Sequence, residues 1–185
     1  MNRYQYGLGW PKGNTDWGKY HGDERKQVYE GLPDPVHPGY SGNAIARTLT
    51  GSGPISWSLN GKESGIWDLV GNCWEWCDLL ATDNVIDPVY PGAGTVLPTT
   101  NGYIATLHAP EHTGGYSIGA EVFVPATVGS ANPEYDTAYY WQSTGLRAAR
   151  RGGDWNYGAT CSLACLFLTY APSRTDTIIG FRGVC

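Results

Sequence analysis

The clearest alternation of apolar and polar positions lies near the C-terminus, where Leu166 and Leu168 alternate with Phe167 and Thr169. A period of two is the repeat of a strand with one buried face. The leucines, with Leu163 before them, predict a core-facing side; the opposite face carries an aromatic and a hydroxyl. The next segment, Tyr170-Ala171-Pro172-Ser173-Arg174-Thr175-Asp176-Thr177, has no apolar rhythm. Pro172 lacks an N–H, and Ser, Thr and Asp favour turns, so this is a loop. Strand and loop are framed by Arg151-Gly152-Gly153-Asp154-Trp155-Asn156 and by Gly180-Phe181-Arg182-Gly183. Glycines beside large rings predict tight, fixed backbone there, with Trp155 and Phe181 packing near the leucines. A framed segment of mixed, adhesive side chains reads as a recognition surface.

A second patterned stretch runs Gly65-Ile66-Trp67-Asp68-Leu69-Val70-Gly71-Asn72-Cys73-Trp74-Glu75-Trp76-Cys77-Asp78. Val70-Gly71-Asn72 is a turn. In the strand after it, Cys73, Glu75 and Cys77 share one face and Trp74 and Trp76 the other. Glu75 is then either satisfied by hydrogen bonds at a buried turn or joins Asp68 in holding a cation. Elsewhere the pattern is weaker. One short strand is expected near Tyr4–Leu8. Short helices are expected over Asp23–Glu30, capped by Asp23 and ended by Gly31, and over Ser41–Thr50, stopped by Gly51-Ser52-Gly53-Pro54. Residues 81–145 read as a long proline-punctuated connection, an elaborated insertion or small subdomain, with strand-like runs at Tyr116-Ser117-Ile118 and Val122-Phe123-Val124.

Composition narrows the class. The 26 glycines and 12 prolines make about a fifth of the 185 residues, well above the usual share, which argues against a helix bundle. Eight tryptophans and 13 tyrosines against three phenylalanines favour rings with polar handles. The net charge of −5 argues against a nucleic-acid partner. No apolar run approaches a membrane span, and Met1-Asn2-Arg3-Tyr4 opens no signal peptide, so a soluble domain is expected. The five cysteines fall as Cys73/Cys77, Cys161/Cys165 and Cys185. Their spacing is not the usual zinc spacing; reduced thiols acting as small hydrophobes fit, and disulfides stay open. His21, His37, His108 and His112 are scattered through loop sequence without a nucleophile at motif spacing, so no catalytic role is assigned.

Taken together, the Gly65–Trp76 block and the Arg151-Gly152-Gly153-Asp154-Trp155 … Gly180-Phe181-Arg182 frame resemble the formylglycine-generating-enzyme (sulfatase-modifying factor) branch of the C-type lectin fold. Within it, Trp155-Asn156-Tyr157-Gly158, Leu166-Phe167-Leu168, Ala171-Pro172-Ser173 and Gly180-Phe181-Arg182 look like the C-terminus of the variable proteins of diversity-generating retroelements. The resemblance implies an α+β C-type lectin fold of short strands, one or two helices and much irregular structure. It implies a single domain over residues 1–185, with 151–182 as a variable ligand-binding region. The diversified positions would be Tyr157, Thr160, Phe167, Thr169, Tyr170, Arg174, Asp176 and Ile178. They would form one exposed patch that tolerates substitution and meets a variable protein or surface ligand, at a virion or cell surface. Residues Asp68 and Glu75, with the carbonyls of Gly71 and Cys73, would match the calcium turn of enzymes in this branch; no other cofactor is implied. Oxidases of the branch carry a copper-binding cysteine pair where this chain has Tyr157 and Ser162, so no enzyme is expected. An oxidase on protein cysteine, with Cys161 and Cys165 in a shifted geometry, is the alternative; a purely structural virion or surface domain is the third reading.

Overall fold

The computed structural model describes residues 10–23, 29–36, 46–90, 93–108, 111–113, 116–118, 124–135 and 137–180. Its described residues fall into two compact units. The first holds those up to Trp74, with Gly152–Leu163 and Thr177–Gly180; the second holds those in Glu75–Arg151 and Ala164–Asp176. The fold is mostly sheet. Among the described residues its helical elements are 3₁₀ turns, at Ile55–Trp57, Pro133–Tyr135 and Gly158–Thr160.

The first unit is built from turns locked by buried amides. Asn72 follows Gly71, and both have positive φ, 63° and 70°. Glycine is required at 71, because a Cβ there would sit 2.1 Å from the Asn14 carbonyl oxygen. The expected Val70-Gly71-Asn72 turn is therefore present. Asn72 Oδ1 accepts the Thr48 amide at 2.8 Å, and its Nδ2 donates to the Thr48 carbonyl at 2.9 Å. Asn14 Oδ1 accepts from Gly18 N at 2.7 Å, and its Nδ2 donates to the Ala46 carbonyl at 2.7 Å. These bonds explain a correction. The described end of the expected Ser41–Thr50 helix, residues 46–50, is not helical. Thr48 spends its backbone groups on Asn72 and bridges Pro33 instead. The rest of that helix, the Tyr4–Leu8 strand and most of Asp23–Glu30 lie outside the described residues.

The second unit is a sheet. Its first strand, β1 (Trp74–Thr82), starts on the last residue of the first unit before Glu75, and turns through Asp83 and Asn84 into β2 (Val85–Ile86). Both turn residues have positive φ, 49° and 64°, the backbone of a two-residue hairpin. Then follow β3 (Gly102–Leu107), β4 (Glu111–Thr113), β5 (Tyr116–Ile118), β6 (Pro125–Gly129), β7 (Tyr139–Gln142), β8 (Leu146–Arg151) and β9 (Leu166–Tyr170); β10 (Ile179–Gly180) belongs to the first unit. The sheet runs β1-β8-β9-β7-β3-β6, with β2 against β1, while β4 and β5 pair separately. All these pairings are antiparallel except β7 with β9. Residues 81–145, expected as a connection, thus supply much of the sheet. The Tyr116-Ser117-Ile118 strand is present as β5; Val122 and Phe123 lie outside the described residues, and Val124 is buried just before β6.

Candidate functional site

Strand β9 divides its side chains as its sequence requires. Leu166 and Leu168 are 0% and 1% exposed. Tyr140, on the neighbouring β7, is opposite Leu166 and also fully buried. Leu163 is a correction: it lies before the strand, in the other unit, and stays partly exposed. Trp155 is buried in the first unit, and Phe181 is outside the described residues.

The other face of the sheet is a row of rings and guanidinium groups. Tyr103 packs edge-on against Tyr139 at 5.0 Å between ring centres, Tyr139 lies 4.2 Å from Trp141, and Trp141 lies 4.1 Å from Phe167. The register explains the row, since Tyr103 is opposite Tyr139, Trp141 is opposite Phe167, and Phe167 is opposite Arg150. The Arg150 guanidinium carbon lies 5.0 Å from the Phe167 ring, 5.8 Å from Trp76 and 3.9 Å from Tyr170. Its Nη2 donates to Thr169 Oγ1 at 3.3 Å. Arg150 is 1% exposed, so these contacts are made away from water and carry more weight than a surface stack would.

Past Tyr170 the chain leaves the sheet. Pro172, Ser173, Arg174 and Thr175 are exposed. Arg174 lies 5.0 Å from the Tyr170 ring and donates to Asp176 Oδ2 at 2.7 Å. The Asp176 carboxylate, through that hydrogen bond and its charge, pushes the Arg174 pKa above its ordinary value. Beside this loop is an open pocket of about 490 Å³, lined by Arg147 from β8, Thr169 and Tyr170 from β9, and Ser173, Arg174 and Thr175 from the loop.

Of the expected diversified positions, the structure brings Phe167, Thr169, Tyr170, Arg174 and Asp176 into one connected set in the second unit. Phe167 departs from the expectation of an exposed patch: it is 5% exposed, because Trp141 and Arg150 cover it. Tyr157, Thr160 and Ile178 belong to the first unit and are partly exposed. Tyr157 packs edge-on against Trp74 at 5.2 Å, Thr160 Oγ1 donates to the Tyr157 carbonyl at 2.8 Å, and the Ile178 carbonyl accepts from Trp74 N at 2.8 Å.

The framing Gly152-Gly153-Asp154 is rigid for a visible reason. A Cβ on Gly153, at φ 90°, would lie 2.2 Å from Cys161 Sγ. Asp154 is 2% exposed and accepts from Trp74 Nε1 at 3.2 Å and Asn156 N at 3.0 Å. The Cys161 thiol donates to the Asp154 carbonyl at 3.4 Å, and Ser162 is fully buried. Of the described cysteines, Cys161 and Cys165 are buried and Cys73 and Cys77 partly so. Burial pushes the Cys73 thiol up to about 11, with the Arg47 charge pulling the other way, and burial also raises Cys77.

Of the residues expected at a calcium turn, Asp68, Gly71 and Cys73 are in the first unit and Glu75 is in the second. Asp68 is 4% exposed, and its Oδ2 accepts the Gly51 amide at 2.9 Å; Gly71 N donates to the Gly152 carbonyl at 2.9 Å. Glu75 is opposite Arg151 on β8. Among the described residues no group of three or more His, Cys, Asp or Glu side chains is placed to hold a metal ion.

The site residues that sequence patterning missed are Arg147 and Arg150. The available signal was Leu146-Arg147-Ala148-Ala149-Arg150-Arg151, arginines inside an otherwise apolar strand, which need partners if the strand is central. No described helix is long and apolar enough to cross a membrane. No protein-family model matches the chain, and no curated protein matches it.

Proposed function

We propose that the chain is a ligand-binding display protein of C-type lectin fold, whose region 151–182 is rewritten by a retroelement. In this reading Thr169, Tyr170, Arg174 and Asp176 of the second unit meet the ligand with Phe167 buried among them, and Tyr157, Thr160 and Ile178 of the first unit are further diversified positions. The observation that carries it is the division along β9 and its loop: Leu166 and Leu168 fully buried, Thr169 and Tyr170 partly open, and Ser173, Arg174 and Thr175 exposed. A buried strand face anchors the segment, so the exposed side chains can change without removing core. Their mixture of ring, hydroxyl and charge suits a paratope, where rigid aromatics give area and short polar groups give adaptable hydrogen bonds. The ligand is then a variable protein or surface molecule, and the domain works on a virion or cell surface. No catalysis is assigned, because Tyr157 and Ser162 offer no thiolates for copper(I).

The locus provides the test. A neighbouring reverse transcriptase gene, and a near-copy of the segment encoding residues 151–182 that differs at adenines, are expected. A locus with neither removes the reading. Copper(I)-dependent oxygen consumption with a cysteine-bearing peptide would move the assignment to the oxidase instead.

A further inference from the structure

We infer that the pocket between β8 and the β9 loop binds a carboxylate, with Arg147 as an anchor outside the diversified set. The inference deepens the display reading by assigning a ligand chemistry to the same face. Two guanidinium-bearing side chains, Arg147 and Arg174, line the pocket with the hydroxyl-bearing Thr169, Ser173 and Thr175. Arg150 adds a third positive charge against Tyr170. Among the described residues, Asp176 forms an ion pair within this set, with Arg174. In a chain of net charge −5, that is a local excess of positive charge.

Arg147 is the decisive member. Its Nε is buried and hydrogen-bonds to no group among the described residues. A buried donor without an acceptor is costly, so the Arg147 side chain gains by turning toward an oxygen bound at the pocket it lines. A guanidinium offers two parallel N–H groups, which match the two oxygens of a carboxylate. Nearby hydroxyls, with Oγ1 of Thr169 accepting from Arg150, add donors for the same oxygens or for neighbouring polar groups of the ligand. A pocket of about 490 Å³ takes a ligand the size of one sugar ring or one to two amino acids. Arg147 comes from β8, outside region 151–182, so it would stay constant while Thr169, Tyr170 and Arg174 change around it. The charge is thus held by the scaffold, and the fit is set by the rewritten residues.

The carboxylate can come from an acidic sugar or an acidic peptide side chain, and the probes separate them. Glucuronate and N-acetyl-glutamate amide are titrated into the intact chain, with glucose, N-acetyl-glutamine amide and sulfate as controls. The Arg Nε–H resonances and the heat of binding are followed. Saturable binding of at least one acid, with a shift of the Arg147 Nε–H signal and none from the neutral counterparts, supports the inference. The tighter of the two acids names the source. R147Q is expected to weaken binding about tenfold, the scale of one charge-assisted bond. D176N, which frees Arg174 from its internal partner, is expected to tighten it severalfold, an effect that damage to the fold would not produce. The inference is overturned if neither acid binds at millimolar concentration, if sulfate binds as tightly as the acids, or if D176N weakens binding while its melting temperature is unchanged. These failures leave the display reading standing, since that reading falls on the locus and not on carboxylate chemistry.

Discussion

The turn cluster of the first unit and the β9 loop of the second both lack regular structure, yet they treat side chains in opposite ways. Around Asn14, Asn72 and Asp154, buried side chains replace the hydrogen bonds that secondary structure would supply. Each such residue is fixed by the backbone groups it satisfies. At Ser173, Arg174 and Thr175 the side chains are exposed, and the backbone is positioned by the strand before it. Irregular backbone therefore does not by itself mark a tolerant region. What marks one is whether the side chains carry the hydrogen-bond accounting of the chain.

The largest expected effects come from breaking the fixed side. Asn72→Ala strands the amide and the carbonyl of Thr48, both held by that one side chain. Each stranded buried group costs about 1–3 kcal/mol, so the variant should lose much of a typical domain's stability. Chemical denaturation checks this; a midpoint unchanged from the parent would mean that water replaces the amide easily and that the contrast between the two regions is false.

Next come the two faces of β9. Leu166→Ala is expected to cost about 2–5 kcal/mol, the range for a cavity in a packed core. Phe167→Ala should cost a similar amount, about 3–5 kcal/mol, because its ring is covered by Trp141 and Arg150. Comparing the two by thermal melting sharpens the comparison. If Phe167→Ala melts with the parent, the ring face is as free as the loop; if it falls with Leu166→Ala, diversification at 167 is restricted to large apolar residues.

How far the sequence shows all this depends on the physics of each segment. The β9 strand is legible because Leu166 and Leu168 alternate with side chains of another kind, and the loop is legible because Pro172 and its neighbours exclude regular pairing. The glycine frames are legible too, and the 2.1 and 2.2 Å approaches at Gly71 and Gly153 show why glycine stands there. Strand β3 is much harder to see. Of Gly102–Leu107 only Ile104 is fully buried, so a single apolar position has to stand for a whole strand. The failed helix ending at Thr50 is a different case. Local sequence permits it, but an asparagine 24 residues away captures Thr48, and such a tertiary bond leaves no local trace. The arginine-and-ring row is likewise a product of cross-strand register, which pairs Phe167 with both Trp141 and Arg150.

A smaller effect separates the regions by pH. Burial raises the Cys73 thiol from its ordinary 9.0 to about 11 in the folded chain. The folded state therefore holds this proton more tightly than the unfolded state does. The stability it contributes is full below pH 9, falls between pH 9 and 11, and is gone above that. The loss is at most about 3 kcal/mol by the scale of pKa linkage. Cys73→Ala should flatten that part of the stability–pH curve, whereas substitutions in the β9 loop should not alter its slope. An unchanged slope in Cys73→Ala would mean that the thiol is open to solvent.

The smallest expected effect is the one that defines the rewritable face. Ser173 and Thr175 are exposed, and among the described residues the Arg174 side chain meets the Tyr170 ring and Asp176. An ion pair this close to water contributes little, because the Arg174 side chain is half-exposed and the pair is screened. Replacing Arg174, Thr175 and Asp176 together by serine should leave a cooperative transition within about 3 °C of the parent. Tyr170→Ser should do somewhat more, since it removes the ring from beneath Arg150 at 3.9 Å. That gradient, from nothing at 174–176 to a measurable loss at 170 and a large one at 167, follows the chain from loop to core. A loop variant that melts as early as Leu166→Ala would make residues 174–176 structural, and a face that cannot be rewritten cannot be a diversified one.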